Sequence, residues 1–172
     1  MSRYMINEAT KVFIEQIVNK PVITYESGDP SIFRHEFSEL WIEHMNYLKS
    51  IMVAPYGVTF DQKIFTESLS DFRQKHSSIR LFVARENGNM IGFLQAGIAP
   101  NRYFGFISDL HVKEDYRGRY IGEQLMKNCF KWLSENQVHS CDLEVIGGNE
   151  DVLNFYKKYN FYVEKYTMRR KI

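Results

Sequence analysis

The sequence predicts an α/β fold in which a mixed, mostly antiparallel central sheet is flanked by helices. Three observations lead there. The hydrophobic period is helix-like from about residue 31 to 76 and turns strand-like from Ile79. Asn87-Gly88 then separates two strand-like runs, and Asn-Gly suits the positive φ angles of a tight hairpin. Beyond the hairpin, strand-like and helix-like segments alternate, the pattern of a sheet covered by helices. The 172 residues are 44% hydrophobic and 25% charged, enough for one soluble globular domain with a real core.

Each element has a local cause. Ile6, Phe13, Ile14, Ile17 and Val18 recur at roughly helical spacing, predicting a short helix in an extension over residues 1–20. The main domain is expected over residues 21–172. Pro21 to Glu26 reads as a first strand, stopped by Gly28-Asp-Pro30. A helix from about Ser31 to Met52 carries Phe33, Phe37, Leu40, Trp41, His44, Met45 and Leu48 on one apolar stripe, and the turn Ala54-Pro-Tyr-Gly57 breaks it. A second helix runs from about Asp61 to His76, with Ile64, Phe65, Leu69 and Phe72 inward. Arg80–Glu86 and Met90–Ile98 form the hairpin, and a strand from about Tyr103 to Val112 follows. The next helix covers the sheet with Ile121, Leu125, Cys129, Trp132 and Leu133. Ser140–Ile146 reads as a strand, Asn149–Tyr159 as a helix and Phe161–Lys171 as a terminal strand.

The bulk numbers narrow the function. A formal net charge of +1 gives no global field to attract nucleic acid or an anionic membrane. No apolar run reaches the roughly 18 residues that span a bilayer. Met1 to Glu8 lacks the apolar core and small-residue cleavage site of a secretory signal, so a cytoplasmic location is expected. Cys129 and Cys141 read as free buried thiols. His35, His44, His76, His111 and His139 show no metal-ligand pairing, so no metal site is expected. Glu36, Glu39 and Glu43 form an acidic stripe that reads as a solvated face.

Two segments carry chemistry. In the first, Ser108 to Val112 leads through a glycine-bearing turn, Arg117-Gly-Arg-Tyr-Ile-Gly122, into a helix N-terminus. Such an N-terminus offers unpaired N–H groups and the positive end of a helix dipole, which suits a diphosphate. In the second, Leu143-Glu-Val passes through Gly147-Gly148 to Asn149, a good N-cap, and then Val152, Phe155, Tyr156 and Tyr159 recur at helical spacing.

Together and in this order the segments resemble the GNAT superfamily of acyl-CoA-dependent N-acyltransferases. Arg117 to Gly122 looks like its Arg/Gln-x-x-Gly-x-Gly/Ala motif, and Asn149 to Phe161 like its Asn-x-x-Ala-x-x-Phe-Tyr-x-Lys-x-Gly-Phe pattern. The resemblance implies acetyl-CoA as co-substrate. Arg117, Gly118, Arg119, Tyr120, Ile121 and Gly122 would hold its diphosphate, with Asn149 also at the cofactor. Backbone groups of Leu110 and Val112 would hold the pantetheine arm and the thioester carbonyl, as an added strand pairs with a sheet edge. Tyr156 is the expected proton donor to the leaving thiolate. For the base, the resemblance offers Glu144 and Asp109; Asp109 is equally readable as a hydrogen-bond anchor or a residue tying down the strand. Three positions depart from the pattern. Tyr120 replaces the middle glycine, so that either no positive φ is needed there or the turn is distorted and diphosphate binding weakened. Val152 replaces Ala, and Asn160 replaces Gly, Asn being next best in the left-handed conformation.

The expected reaction is direct transfer of acetyl from acetyl-CoA to a primary amine of a small molecule or peptide. The alternative is an acyl-CoA-binding sensor or interaction module with little turnover, suggested by Ser108 and Tyr120. The short C-terminus predicts an open acceptor site, or one completed by residues 1–20 or by a second subunit of a homodimer.

Overall fold

The computed structural model of the protein describes residues 22–52, 59–101 and 103–168. Four helices occur among them: α1 (Arg34–Ile51), α2 (Gln62–Lys75), α3 (Ile121–Glu135) and the short α4 (Leu153–Lys157). Five strands, β1 (Ile23–Gly28), β2 (Ser78–Glu86), β3 (Asn89–Ile98), β4 (Phe104–Val112) and β5 (Ser140–Leu143), form one sheet in that order. The first three pairings are antiparallel and β4–β5 is parallel. A parallel pair needs a crossover, and α3 supplies it.

The sheet divides two cores. Phe82, Leu94, Ile107, Leu125, Met126 and Trp132 pack between the sheet and α3. Phe37, Trp41, Phe65, Val83 and Phe93 pack between the other face and α1 with α2. There Phe37 meets Phe65 and Phe93 edge-on, each at 5.1 Å between ring centroids, a geometry that adds about 1 kcal/mol per pair to plain burial. All five residues expected to turn α3 inward are buried.

Local signals set most boundaries. Asn87 and Gly88 take φ of 51° and 81°, as a two-residue hairpin turn requires. Asp61 caps α2 by accepting from the N–H groups of Lys63 and Ile64. The expected first helix begins instead with a 3-10 turn at Pro30–Phe33, where the Asp29 carboxylate accepts from Ser31 N–H.

Other expectations are corrected. The first strand starts at Ile23 and runs to Gly28, two residues later than Pro21–Glu26. The strand expected over Ser140–Ile146 pairs only to Leu143, and the helix expected over Asn149–Tyr159 is a 3-10 turn followed by the five residues of α4. Residues 161–168 are not a strand. Phe161 packs on Phe130 and Tyr156, but Tyr162, Tyr166 and Met168 are exposed, so neither face of the segment is buried to fix a register. The helix expected in residues 6–19, the turn at 54–57 and Arg169 to Lys171 lie outside the described residues.

Candidate active site

A β-bulge builds the site. Gln95 pairs with Asp109 and Ala96 with Ile107, leaving Ser108 as the extra residue of β4. Before the bulge, Ile107 faces α3 and Phe106 the α2 side; after it, Leu110 and Val112 face α3. Asp109 and His111 therefore turn to α1, where His44 and Glu43 meet them. Without the extra residue, Asp109 would share the face of Ile107. The same bulge ends the pairing with β5, which covers only Phe104–Ile107. From Ser108 to Val112 the outer edge of β4 has no strand beside it among the described residues. Leu110 and Val112 lie on this free edge.

The turn after β4 leaves backbone N–H groups free of the helical ladder. Gly118 and Tyr120 take φ of 75° and 60°, so the chain turns through two left-handed residues. Tyr120 thus adopts the positive φ that a glycine would take without strain, with its phenol outward and 75% exposed. The first bond closing α3 runs from Gln124 N–H to Tyr120 C=O, so the N–H groups of Ile121, Gly122 and Glu123 precede the helical ladder. A Cβ on Gly122 would touch only the Phe155 ring at 3.5 Å, so the backbone there is open to close approach. The arginines point elsewhere. Arg117 donates from Nε to Val112 C=O and lies over Tyr47 of α1, while Arg119 pairs with Glu86 at 2.5 Å and stacks on Tyr116. Both guanidinium groups are thus engaged within the chain, and an anion at this turn would meet backbone N–H groups.

Tyr156, on α4, is half-buried against the α3 core. Burial, and then the charge of Asp109, push its phenol up to about 12. The charge of Asp109 therefore reaches the Tyr156 phenol. Burial pushes the Asp109 carboxyl up to about 6, against a smaller opposing hydrogen bond from Ser108. Glu144 stands apart: it is exposed and is not among the groups acting on Tyr156. Asn149 precedes the 3-10 turn but makes no side-chain cap. Its neighbour Gly148 is wedged against α1, where a Cβ would lie 2.0 Å from Ile51 C=O. Both cysteines are free, Cys129 buried and Cys141 half-buried, and burial raises both thiols, Cys141 to about 12. Neither is poised as a nucleophile.

Two features escaped the sequence. One is a buried polar cluster, in which His44 Nε2 lies 3.6 Å from Asp109 Oδ1 and His111 Nε2 lies 3.3 Å from Glu43 Oε1. The sequence period places His44 on an apolar stripe. The Glu36-Glu39-Glu43 stripe is likewise not simply solvated, since Glu36 binds Arg85 and Glu43 binds His111. The other is a cavity of about 730 Å³ between α2 and the β4–β5 pair. Phe72, Phe104 and Phe106 line it, and Glu67, Asp71, Asp142 and Glu144 outnumber Lys75 among its charged groups. Among the described residues no three His, Cys, Asp or Glu side chains are grouped to hold a metal ion, and no helix is long and apolar enough to cross a membrane.

Comparison with known proteins agrees with this architecture. Residues 41–161 match the model of the acetyltransferase (GNAT) family. A putative acetyl transferase from Pyrococcus furiosus superposes with a TM-score of 0.67 at 19% identity, over 87% of this chain and 100% of that one. The aminoglycoside N-acetyltransferase AAC(6')-Iy in complex with CoA gives 0.63 at 15% identity, over 89% and 97%. A ribosomal-protein-alanine N-acetyltransferase from Brucella melitensis biovar Abortus 2308 gives 0.61 at 16% identity, over 88% and 99%. At these identities the likeness is one of fold.

Proposed function

The chain belongs to the GNAT acetyltransferase family, and we propose that it transfers acetyl from acetyl-CoA to a primary amine by direct attack. The observation that carries this reading is a free β4 edge, Ser108 to Val112, that bears Asp109 and lies close enough to Tyr156 for the charge of Asp109 to reach its phenol. Bound acetyl-CoA supplies the acetyl thioester. The N–H groups of Ile121, Gly122 and Glu123 would receive its diphosphate, and Leu110 and Val112 its pantetheine amides. Asp109, held near 6, is our choice of base over the exposed Glu144. A carboxylate of that basicity accepts a proton at neutral pH far better than an ordinary Asp. Tyr156, held near 12, keeps its proton throughout that range and can hydrogen-bond the departing sulfur.

The acidic cavity supports a cationic acceptor. It lies on the sheet face to which Asp109 points, while Tyr156 lies on the α3 side, so acceptor and cofactor would approach β4 from opposite faces. Aromatic side chains would take the body of such an amine and the carboxylates its charge. The alternative, an acyl-CoA sensor with little turnover, draws on Ser108 at the bulge in place of a carboxylate. Retention of both Asp109 and Tyr156 speaks against it.

Calorimetric titration with acetyl-CoA, with NAD as control, tests the reading. Stoichiometric micromolar binding of acetyl-CoA alone is expected, followed by amine-dependent thiol release. No binding would mean that the Tyr120 turn does not accept the diphosphate, and the reading would fall.

A further inference from the structure

The segment after Phe161 sends its apolar side chains into water. Tyr162, Val163, Tyr166 and Met168 are 83%, 48%, 87% and 95% exposed. Single exposed hydrophobics are ordinary, but a run of them marks a surface built to be covered. The composition is also that of a strand, rich in aromatic and β-branched residues. In extended backbone Tyr162, Glu164, Tyr166 and Met168 share one face, and Val163, Lys165 and Thr167 the other.

The same chain carries a place for such a strand. β5 pairs with β4 on one side, and among the described residues no strand pairs with its outer edge. Its two faces differ. Cys141 and Leu143 turn to the α3 core, while Asp142 and then Glu144 turn to the cavity beside α2. On the α3 side lies a groove of about 310 Å³, lined by Phe130, Leu133, Val138, Cys141 and Tyr159. Phe161 lines it as well, and beyond Phe161 the chain leaves its own surface.

We propose that the protein pairs with a second copy of itself by exchanging residues 162–168, each copy's segment adding a strand to the outer edge of the other's β5. The two faces match in chemistry. Against that edge the side bearing Tyr162, Tyr166 and Met168 covers the apolar groove, and Lys165 falls on the side of Asp142 and Glu144. Glu164, the one charge on the apolar side, meets the groove where His139 and Ser134 line it. Both copies carry the segment and the edge, so the exchange closes on itself as a two-fold dimer and leaves neither β5 edge open. Its four tyrosines would bury about 600–1,000 Å², a large part of the roughly 1,200–2,000 Å² of a stable interface. The pairing also completes the acidic cavity. Lys165 of the partner subunit would offset Asp142 on the β5 wall and leave Glu67 and Asp71 of α2 to face a cation.

Sedimentation equilibrium on the full chain reads the pairing. A dimer is expected at micromolar concentration, and Tyr162→Ser with Tyr166→Ser should raise its Kd at least about a hundredfold. Both tyrosines are exposed within one copy, so the double variant keeps the fold of the monomer. Asp142→Lys and Lys165→Asp should each weaken the dimer a few-fold. An equimolar mixture of these two variants should regain it, because the mixed pair restores opposite charges at both contacts. Docking of the segment within its own copy gives no such recovery. A protein that stays monomeric, a dimer indifferent to the tyrosines, or a mixture no tighter than its components overturns the proposal. Amide hydrogen exchange identifies the other occupants. Protection of residues 162–168 in a monomer means that they fold onto their own β5; protection of β5 alone means that another segment, such as residues 1–20, covers it. Either result overturns the exchange.

Discussion

Asp109→Asn should make the protein more stable at pH 8 while impairing turnover. The carboxyl is held at about 6 against an ordinary value of 3.8, because burial favours its neutral form. Between those values the folded protein keeps a proton that the unfolded chain has lost, so this group's contribution to stability falls as pH rises through the window. Below 3.8 both states are protonated and nothing is lost; above about 6 both are ionised and the whole cost of the buried anion is borne. That interval corresponds to about 3 kcal/mol. Asn is neutral throughout. The stability of the variant relative to the natural protein should therefore rise by up to about 3 kcal/mol between pH 3.5 and pH 8. His44 and His111 act in the opposite sense, since their depressed values remove stability as pH falls from 6.5 to about 4, but they are present in both proteins. Urea unfolding at the two pH values gives the difference directly. A difference that does not change with pH, or a variant less stable at pH 8, would refute the reasoning. The second result would mean that an imidazolium of His44 pairs with ionised Asp109.

Further outcomes concern other parts of the molecule. Tyr156→Phe should lower turnover at least tenfold and leave acetyl-CoA affinity within a few-fold, because a hydrogen bond to a charged sulfur is worth about 1.5–3 kcal/mol; thiol-release kinetics and calorimetry give the two numbers, and unchanged turnover would return Tyr156 to the core. Gly148→Ala should destabilise by about 2 kcal/mol or more in urea unfolding, since its φ is 99° and the added Cβ would meet Ile51 C=O. Tolerance of that change would mean that the loop does not press on α1. Tyr120→Gly should leave stability equal or raise it by up to about 1 kcal/mol, relief of left-handed strain exceeding the freedom gained by the unfolded chain. A clear loss in the same assay would assign the exposed phenol a contact. Asp71→Asn with Glu144→Gln should raise KM for a polycationic acceptor and flatten its salt dependence, with kcat little changed. An unaltered KM would place the acceptor elsewhere.

The hairpin at Asn87-Gly88, the α3 core stripe and the left-handed Asn160 at φ 63° were all legible because each is a local matter of turn chemistry or period. So was the glycine-bearing turn before α3, although Tyr120 takes its left-handed conformation there with strain and not by avoiding it. The α4 region was overextended for a physical reason. The aromatic residues Phe155, Tyr156 and Tyr159 continue a helical spacing past Lys157, but the chain leaves the helix to bring Phe161 onto Phe130. The terminal strand failed for the same kind of reason, since β-propensity in Tyr162 and Val163 cannot form a strand without a partner edge and a face to bury.

By itself, then, the sequence determined the α/β class and the order of elements from β1 to α4, because period, glycine placement and capping act within a few residues. Tertiary structure alone decided which side chains meet. A single extra residue at Ser108 turns Asp109 and His111 toward α1 and frees the outer edge of β4. That choice depends on pairing between Gln95 and Asp109, and on helix residues Glu43 and His44 some 65 positions away in the chain. No local pattern encodes it, because a bulge and a buried ion-pairing partner are properties of neighbouring elements packed together, not of any one segment.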